Sequence, residues 1–142
     1  ASDVYKRQAF LMANLLQGVV DEGTGRRLRF RYGFKNQIGG KTGTTQNHSD
    51  GWFIGITPDL AGGVWVGAED RSIHFQNLAN GQGASMALPI WALFMQKVYA
   101  DKSLAVPQSD FQKPNGVNHV LDCGDADREG MTDYDSSDEI FD

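Results

Sequence analysis

The stretch GGKTGTT at residues 39–45 contains one lysine among glycines and hydroxyl residues, in a segment without helical periodicity. Glycine lets a second backbone or a ligand come close, and an extended backbone presents its N–H and C=O groups along an edge. Lys41 adds a positive charge to that edge. The stretch therefore indicates a strand that suits a ligand with a carboxylate and a reactive carbonyl.

A phosphate-binding P-loop is one interpretation of this lysine. It requires a glycine, four residues, and then Gly-Lys-Ser/Thr at the start of a helix. The first glycine would have to stand at Lys35, and poor helix formers follow Thr42. The P-loop is therefore set aside. Lys-Thr-Gly at 41–43 instead matches an element of serine acyltransferases that act on D-alanyl peptides and β-lactams, although three residues alone also fit a chance match.

Length and composition limit the chain to one globular domain. Its 142 residues can bury a core but are too few for two domains. Hydrophobic residues make up 40% and charged residues 22%, as in ordinary globular proteins, and 17 glycines indicate tight turns and close strand packing. The single cysteine, Cys123, excludes an internal disulfide.

Charge is distributed unevenly along the chain. The formal net charge is -5, yet residues 122–142 hold nine acids and one base, whereas the first 121 residues hold 12 bases and nine acids. The body is therefore mildly basic and the tail strongly acidic. The longest apolar runs, at residues 9–16 and 87–95, fall short of the ~20 residues that cross a membrane.

Hydrophobic periodicity predicts a first helix at residues 9–21. One narrow polar stripe interrupts its apolar surface, so we expect a mostly buried helix. The polar stripe consists of Asn14, Gln17, Gly18 and Asp21.

Residues 1–8 have no periodic pattern, and we interpret them as a ragged start that is not native to the domain.

Three strands and a second helix follow. Residues 38–45, 51–57 and 64–68 are strand-like and joined by short loops, which predicts an antiparallel meander. We expect a helix somewhere between residues 84 and 100, with Pro89 near its first turn and an apolar stripe that packs on the sheet. The fold class is therefore α/β (α+β), an antiparallel sheet flanked by helices, with an acidic, poorly ordered tail at 106–142. The stripe consists of Trp91, Phe94, Met95 and Val98.

Basic and aromatic residues alternate at residues 26–35. Such alternation can mark a nucleic-acid surface. Because the net charge of the chain is negative, a solvated loop or edge segment leading into the lysine strand is the better interpretation. We therefore expect no nucleic-acid partner.

Other polar and aromatic residues give weaker signals. His48 and Asp50 could act as a base and its orienting partner, but a loop position at the site entrance fits them better. Three residues of the tail could ligate a metal, although solvated side chains are the default there. The tryptophans, Trp52, Trp65 and Trp91, are interpreted as core aromatics. The tail residues in question are His119, Asp122 and Cys123.

Several ordered blocks of residues 9–100 resemble the C-terminal third of the transpeptidase domain of class A penicillin-binding proteins. The helix at 9–20 with Gly-Thr-Gly behind it is also similar to the segment that precedes the lysine strand in that family. Blocks in matching order are far more specific than the triplet alone. They are GKTGTT at 40–45, DGWFIGITP at 50–58, GVWVG at 63–67, ALPIW at 87–91 and FM at 94–95.

The resemblance implies a partial β-lactamase/transpeptidase-like fold at residues 9–105 and a serine acyl transfer without cofactor or metal. A serine attacks the D-Ala-D-Ala carbonyl of a peptidoglycan stem peptide, and an amine then resolves the acyl-enzyme. Lys41 would supply charge and a hydrogen bond toward that serine, and the Thr44 N–H would be an oxyanion donor. The substrate-binding residues would be Lys41, Thr42, Gly43, Thr44 and Thr45.

The family's nucleophile motif is missing. None of the serines has a lysine three residues later, and neither Ser-x-Asn nor Tyr-x-Asn occurs. The sequence therefore predicts an inactive fragment of a D,D-transpeptidase whose partners are stem peptides and β-lactams. The resemblance implies the extracytoplasmic face of the bacterial membrane, the periplasm, with an N-terminal anchor outside this chain. Two alternatives are a D,D-carboxypeptidase or β-lactamase fragment, and a non-catalytic binding module on the same scaffold.

Overall fold

The computed structural model describes residues 2–117 of the chain, with side chains from residue 4 onward. These residues form four helices and three strands. Short 3-10 turns occur at Gln46–His48 and Lys102–Leu104. In chain order the elements are α1 (Ser2–Asp21), α2 (Arg27–Phe30), β1 (Gly39–Thr44), β2 (Asp50–Ile56), β3 (Ala61–Gly67), α3 (Leu78–Gly81) and α4 (Gly83–Ala100).

The three strands form one antiparallel sheet in the order β1-β2-β3. The predicted meander and the α+β fold class are thus confirmed. β3 begins at Ala61, three residues before the predicted start, because the preceding turn is short. The Thr57 N–H donates to the Leu60 carbonyl at 2.8 Å, and the Leu60 N–H donates to Thr57 Oγ1 at 3.0 Å. The turn is therefore complete within four residues, and the glycines after it extend the strand.

The core lies between one face of β2 and helix α4. Phe53 is fully buried there, and its ring meets that of Trp91 edge-on at a centroid distance of 5.4 Å. Gly55 lies on the same face, two residues along the strand. A Cβ atom at Gly55 would lie only 2.5 Å from Trp91 Cε2. The absence of a side chain at this position therefore allows the indole to reach the sheet.

Helix α1 starts at Ser2, so residues expected to form a ragged start are helical. The helix is also less buried than its apolar sequence predicts. Among its residues 4–21 only Ala13 and Val20 are buried, whereas Met12 and Leu15 are 56% and 57% exposed. One side of α1 packs on β1, where Leu16 approaches Gly39, and the side chains of Met12 and Leu15 are left at the surface.

The interpretation of all three tryptophans as core aromatics is wrong for two of them. Trp91 is 2% exposed, but Trp52 and Trp65 are 45% and 48% exposed. They are directly opposite each other in the β2–β3 register, so both lie on the sheet face away from α4. Because successive side chains of β2 point to opposite faces of the sheet, Phe53 faces α4 and Trp52 lies on the outer face.

Helix α4 departs from the prediction at two positions. Pro89 lies in the second turn rather than the first, since the helix begins at Gly83. Ala87 and Leu88 are fully buried beside it, and this packing holds the helix around a residue that cannot donate a backbone hydrogen bond. Phe94, expected on the packed stripe, is 58% exposed, whereas the other members of that stripe are buried.

The basic segment at residues 26–35 forms α2 and a turn, not the loop or edge segment predicted. Arg29 pairs with Asp21 of α1 and donates to the carbonyl oxygens of Phe34 and Asn36. Arg27 donates to the Ala84 carbonyl at 3.1 Å. These two arginines therefore join α2 to its neighbours.

The predicted poorly ordered tail includes residues that pack on the domain. The Phe111 N–H donates to Gln37 Oε1 at 2.8 Å, and the Ser109 hydroxyl donates to Asp59 at 2.8 Å. Val117 is 4% exposed. Residues 118–142 lie outside the described part of the chain. No helix within residues 2–117 is long and apolar enough to span a membrane.

Replacing Gly55 with alanine tests the close approach of α4 to the sheet. We expect Gly55→Ala to lower the free energy of unfolding by about 1–3 kcal/mol, because the new methyl group displaces Trp91. Gly63→Ala is the matched control, since its Cβ would lie 3.6 Å from Ile54, an ordinary contact, and should change stability by less than about 0.5 kcal/mol. Urea unfolding followed by circular dichroism measures both. Equal losses of unfolding free energy in the two variants would show that contact with Trp91 does not limit how closely α4 packs on the sheet.

Candidate functional site

Strand β1 lies at an edge of the sheet, and within residues 2–117 it pairs only with β2. The Thr45 N–H donates to the Asp50 carbonyl at 3.0 Å. Hydrogen-bonded and non-hydrogen-bonded pairs alternate along an antiparallel ladder, so the Thr44–Gly51 pair is non-hydrogen-bonded. The backbone N–H and C=O groups of Thr42 and Thr44 therefore point away from the sheet, along its outer edge.

The predicted central residue, Lys41, lies within β1 and is exposed. A helix does not follow it, which agrees with setting the P-loop aside. Its Nζ donates to the Thr42 carbonyl at 2.7 Å. Because that carbonyl points off the sheet, the ammonium group lies at the same outer edge as the free backbone groups.

The two threonine hydroxyls of β1 have partners on other elements. Thr42 Oγ1 lies 2.9 Å from Thr24 Oγ1 in the α1–α2 connection. Thr44 Oγ1 accepts a hydrogen bond of 3.0 Å from the Gly83 N–H, the first residue of α4. The Thr44 hydroxyl keeps its own proton for donation, because it only accepts in this bond. Lys41 and the two threonine hydroxyls thus converge on one edge from opposite faces of the strand.

Gly83 is a site residue that the sequence did not reveal, since Asn-Gly-Gln-Gly at 80–83 has the composition of a flexible loop. A Cβ at this position would contact the Trp52 carbonyl and lie 2.5 Å from the Gly43 carbonyl. The start of α4 thus rests on the backbone of β1 and β2. The missed signal was a glycine directly before an apolar helix, which is also what a close helix–strand contact requires.

Thr45 and Asp50 close the connection between β1 and β2. The Asp50 N–H donates to Thr45 Oγ1, and that hydroxyl donates to Asp50 Oδ2, both at 3.0 Å. Asp50 Oδ1 accepts from the Trp65 indole N–H at 3.1 Å. The Thr45 hydroxyl is therefore used within the protein, and Asp50 links the β1–β2 connection to β3.

His48 and Asp50 do not form a base and its orienting partner. The hydrogen bonds found among residues 4–117 do not include one between them, and the buried His48 Nδ1 has no hydrogen-bond partner. His48 lies in the Gln46–His48 turn with a positive φ of 55°, and its Cβ faces Gly81. Its contacts are those of a loop residue packed against α3.

A metal site finds no support in the described part of the chain. No group of three or more histidine, cysteine, aspartate or glutamate side chains occurs there in a metal-binding arrangement. The three tail residues considered as ligands, His119, Asp122 and Cys123, lie outside the described residues.

The edge of β1 combines outward backbone N–H groups, a hydroxyl proton and an ammonium group. Each is a hydrogen-bond donor, and the ammonium is a cation. Such an edge can bind an extended peptide by strand addition, with its carbonyl oxygens and carboxylate facing the donors.

Comparison with known proteins identifies relatives of this chain. Penicillin-binding protein 1A of Pseudomonas aeruginosa is 36% identical over 113 residues, which are 78% of this chain and 12% of that protein. Penicillin-binding protein 1A of Rickettsia bellii is 37% identical over 112 residues, 76% of this chain and again 12% of the relative. No protein-family profile matches the sequence.

A solved structure has the same fold. The 2.6 Å crystal structure of penicillin-binding protein 1A from Haemophilus influenzae matches with a TM-score of 0.64 and 27% sequence identity. The match covers 77% of this chain and 16% of that one, so the chain spans a small part of the length of its relatives. Shared sequence and shared fold together show that the chain belongs to the penicillin-binding protein 1A family.

Proposed function

We propose that residues 9–105 are the C-terminal part of a penicillin-binding transpeptidase domain, and that β1 is one wall of its active site. One observation carries this proposal: the outward N–H groups of Thr42 and Thr44 share an edge with the Lys41 ammonium. Membership of the penicillin-binding protein 1A family supports it. The substrate is a peptidoglycan stem peptide ending in D-Ala-D-Ala, and β-lactams occupy the same edge.

The proposed reaction transfers an acyl group through a serine ester. The serine oxygen bonds to the carbonyl carbon of the penultimate D-alanine, the peptide C–N bond breaks, and the departing D-alanine amine takes the serine proton. An amine of a neighbouring stem peptide then attacks the ester, which joins the two peptides and releases the serine. Negative charge develops on the carbonyl oxygen in both steps, so a fixed donor there lowers both barriers.

Each residue of the lysine strand has a role in this proposal. Lys41 provides charge and a hydrogen bond toward the serine, and the Thr44 N–H is one of two oxyanion donors. Thr42 and Thr44 hold the substrate carboxylate through their hydroxyls, whereas Thr45, whose hydroxyl bonds to Asp50, lies directly after the strand and holds its end. Gly43 permits a substrate backbone to approach.

The nucleophile is proposed to lie in a part of the protein other than these 142 residues, since none of the serines here precedes a lysine by three positions. The chain alone is then inactive. The whole protein would work at the extracytoplasmic face of the bacterial membrane, held by an anchor outside this chain.

Penicillin labelling tests the proposed division of the active site. We expect no covalent labelling of the 142-residue chain by a fluorescent penicillin. We expect labelling of a chimera in which residues 9–105 replace the matching segment of the Pseudomonas aeruginosa relative. Denaturing gel electrophoresis detects the label, and competition with unlabelled penicillin gives the control.

Three outcomes would contradict this proposal in different ways. Labelling of the isolated chain would place a nucleophile within it. A folded chimera without label would favour a non-catalytic binding module. A labelled chimera that hydrolyses the β-lactam, or releases D-alanine without cross-linking, would favour the β-lactamase or D,D-carboxypeptidase alternative.

Lys41→Ala tests the role of the ammonium group in the same chimera. The acylation rate should fall about 10- to 100-fold, because a hydrogen bond to a charged group is worth about 1.5–3 kcal/mol. Stability should change by less than about 0.5 kcal/mol, since Lys41 is exposed. Lys97→Ala, at an exposed position of α4, is the matched control and should leave acylation unchanged. Equal acylation by the two variants would remove Lys41 from the site.

A further inference from the structure

A cluster of polar side chains centred on Asp50 has no role in the proposed reaction. Its carboxylate accepts hydrogen bonds from Thr45 Oγ1 at 3.0 Å, Trp65 Nε1 at 3.1 Å and Ser49 Oγ at 3.4 Å. Three donors therefore converge on one group. A carboxylate suits this position because both of its oxygens only accept, whereas an amide would turn a donor toward one of the three.

The link between Thr45 and Asp50 is reciprocal. The Thr45 N–H donates to the Asp50 carbonyl, and the Asp50 N–H donates to Thr45 Oγ1, both at 3.0 Å. The Thr45 hydroxyl then donates its proton to Asp50 Oδ2. These bonds close the connection at residues 46–49 and hold the end of β1 against the start of β2.

The bond to Trp65 extends the cluster across the sheet to β3. Gly67 lies opposite Asp50 in the β2–β3 register. A Cβ at Gly67 would contact the Asp50 carboxylate and lie 2.8 Å from Trp65 Cε2. The glycine thus leaves room for the carboxylate and the indole to meet, so Asp50 is anchored to a strand that does not pair with β1.

Thr44 is held from two directions, by helix α4 and by the cluster around Asp50. On one side its hydroxyl accepts from the Gly83 N–H. On the other side its C-terminal neighbour, Thr45, is tied to Asp50 through backbone and side chain. The Thr44 N–H itself points off the sheet without a backbone partner in β2. This N–H shares a planar peptide with the Gly43 carbonyl, which faces Trp52 in the β1–β2 ladder, and the two anchors hold the strand on either side of that peptide.

We propose that Asp50 is a positioning residue, which holds the end of β1, and with it the Thr44 N–H, in place through Thr45. This inference rests on the proposed function, in which that N–H stabilises the developing oxyanion. Because the oxyanion develops only as the serine attacks and is absent from the initial non-covalent complex, loss of the Asp50 carboxylate lowers the rate of acylation more than the affinity for the acyl donor.

The kinetic test compares Asp50→Asn with Asp59→Asn in the chimera described above. Asp59 follows the C-terminal end of β2, whereas Asp50 lies at its start. The Asp59 carboxylate accepts a hydrogen bond from the Ser109 hydroxyl. Stopped-flow labelling with penicillin separates the acylation rate constant from the dissociation constant of the initial complex. For Asp50→Asn we expect the rate constant to fall about tenfold or more and the dissociation constant to change less than about twofold. Asp59→Asn should change neither.

A second measurement uses the 142-residue chain and needs no activity. Asp50→Asn should shift the Thr44 and Thr45 backbone amide resonances and the Trp65 indole resonance in a ¹⁵N–¹H spectrum, whereas Asp59→Asn should leave all three in place. An unchanged Thr44 resonance beside a shifted Trp65 resonance would overturn the proposal, because Asp50 would then hold only the tryptophan. Equal acylation rate constants for the two variants would also overturn it.

Failure of the proposed function gives a different result. In that case the unsubstituted chimera is not labelled at all. A shift of the Thr44 resonance in the Asp50→Asn chain then still shows whether Asp50 holds this N–H in place.

Discussion

The close contact between helix α4 and the glycine-bearing face of β2 is the constraint on which the rest of the structure depends. Gly51 and Gly55 flank Phe53 on that face, and the helix lies against all three. Without side chains at the two glycines, Met86 and Trp91 reach the sheet and enclose the phenylalanine. Close packing of this kind stabilises through many small contacts that lengthen if a methyl group is inserted.

The same contact also positions the outer edge of β1, which carries Lys41. Because α4 lies so close to the sheet, its first N–H can reach the Thr44 hydroxyl, and Gly83 rests on the Gly43 and Trp52 carbonyls. The helix therefore connects the core to the strand that carries the candidate site. An edge strand whose backbone is held from behind by a helix and at its end by Asp50 presents its outward groups in a fixed direction.

Unpaired sheet edges promote aggregation, and proteins protect them in recognisable ways. In β1 the exposed Lys41 provides such protection, since a charge on the edge discourages a second strand. The same charge would attract an anionic peptide end. One side chain thus makes the edge unfavourable for general pairing and favourable for a ligand with a carboxylate, which is consistent with the proposed role of the strand.

Sequence patterns predicted the three strands, helices α1 and α4, and their order, but not the short helices α2 and α3. Strand-like segments joined by short loops indicated the antiparallel strands, and periodic apolar residues indicated α1 and α4, because these patterns arise from local backbone geometry. The position of Lys41 on an extended strand followed from the same local rules. Burial followed from tertiary packing: Met12 and Leu15 of α1 are exposed, and Trp52 and Trp65 lie on the outer face of the sheet. Tertiary packing also decided which distant groups meet, such as Gly83 with Thr44 and Asp50 with Trp65, since such contacts depend on how separate elements pack and leave no periodic trace in the sequence.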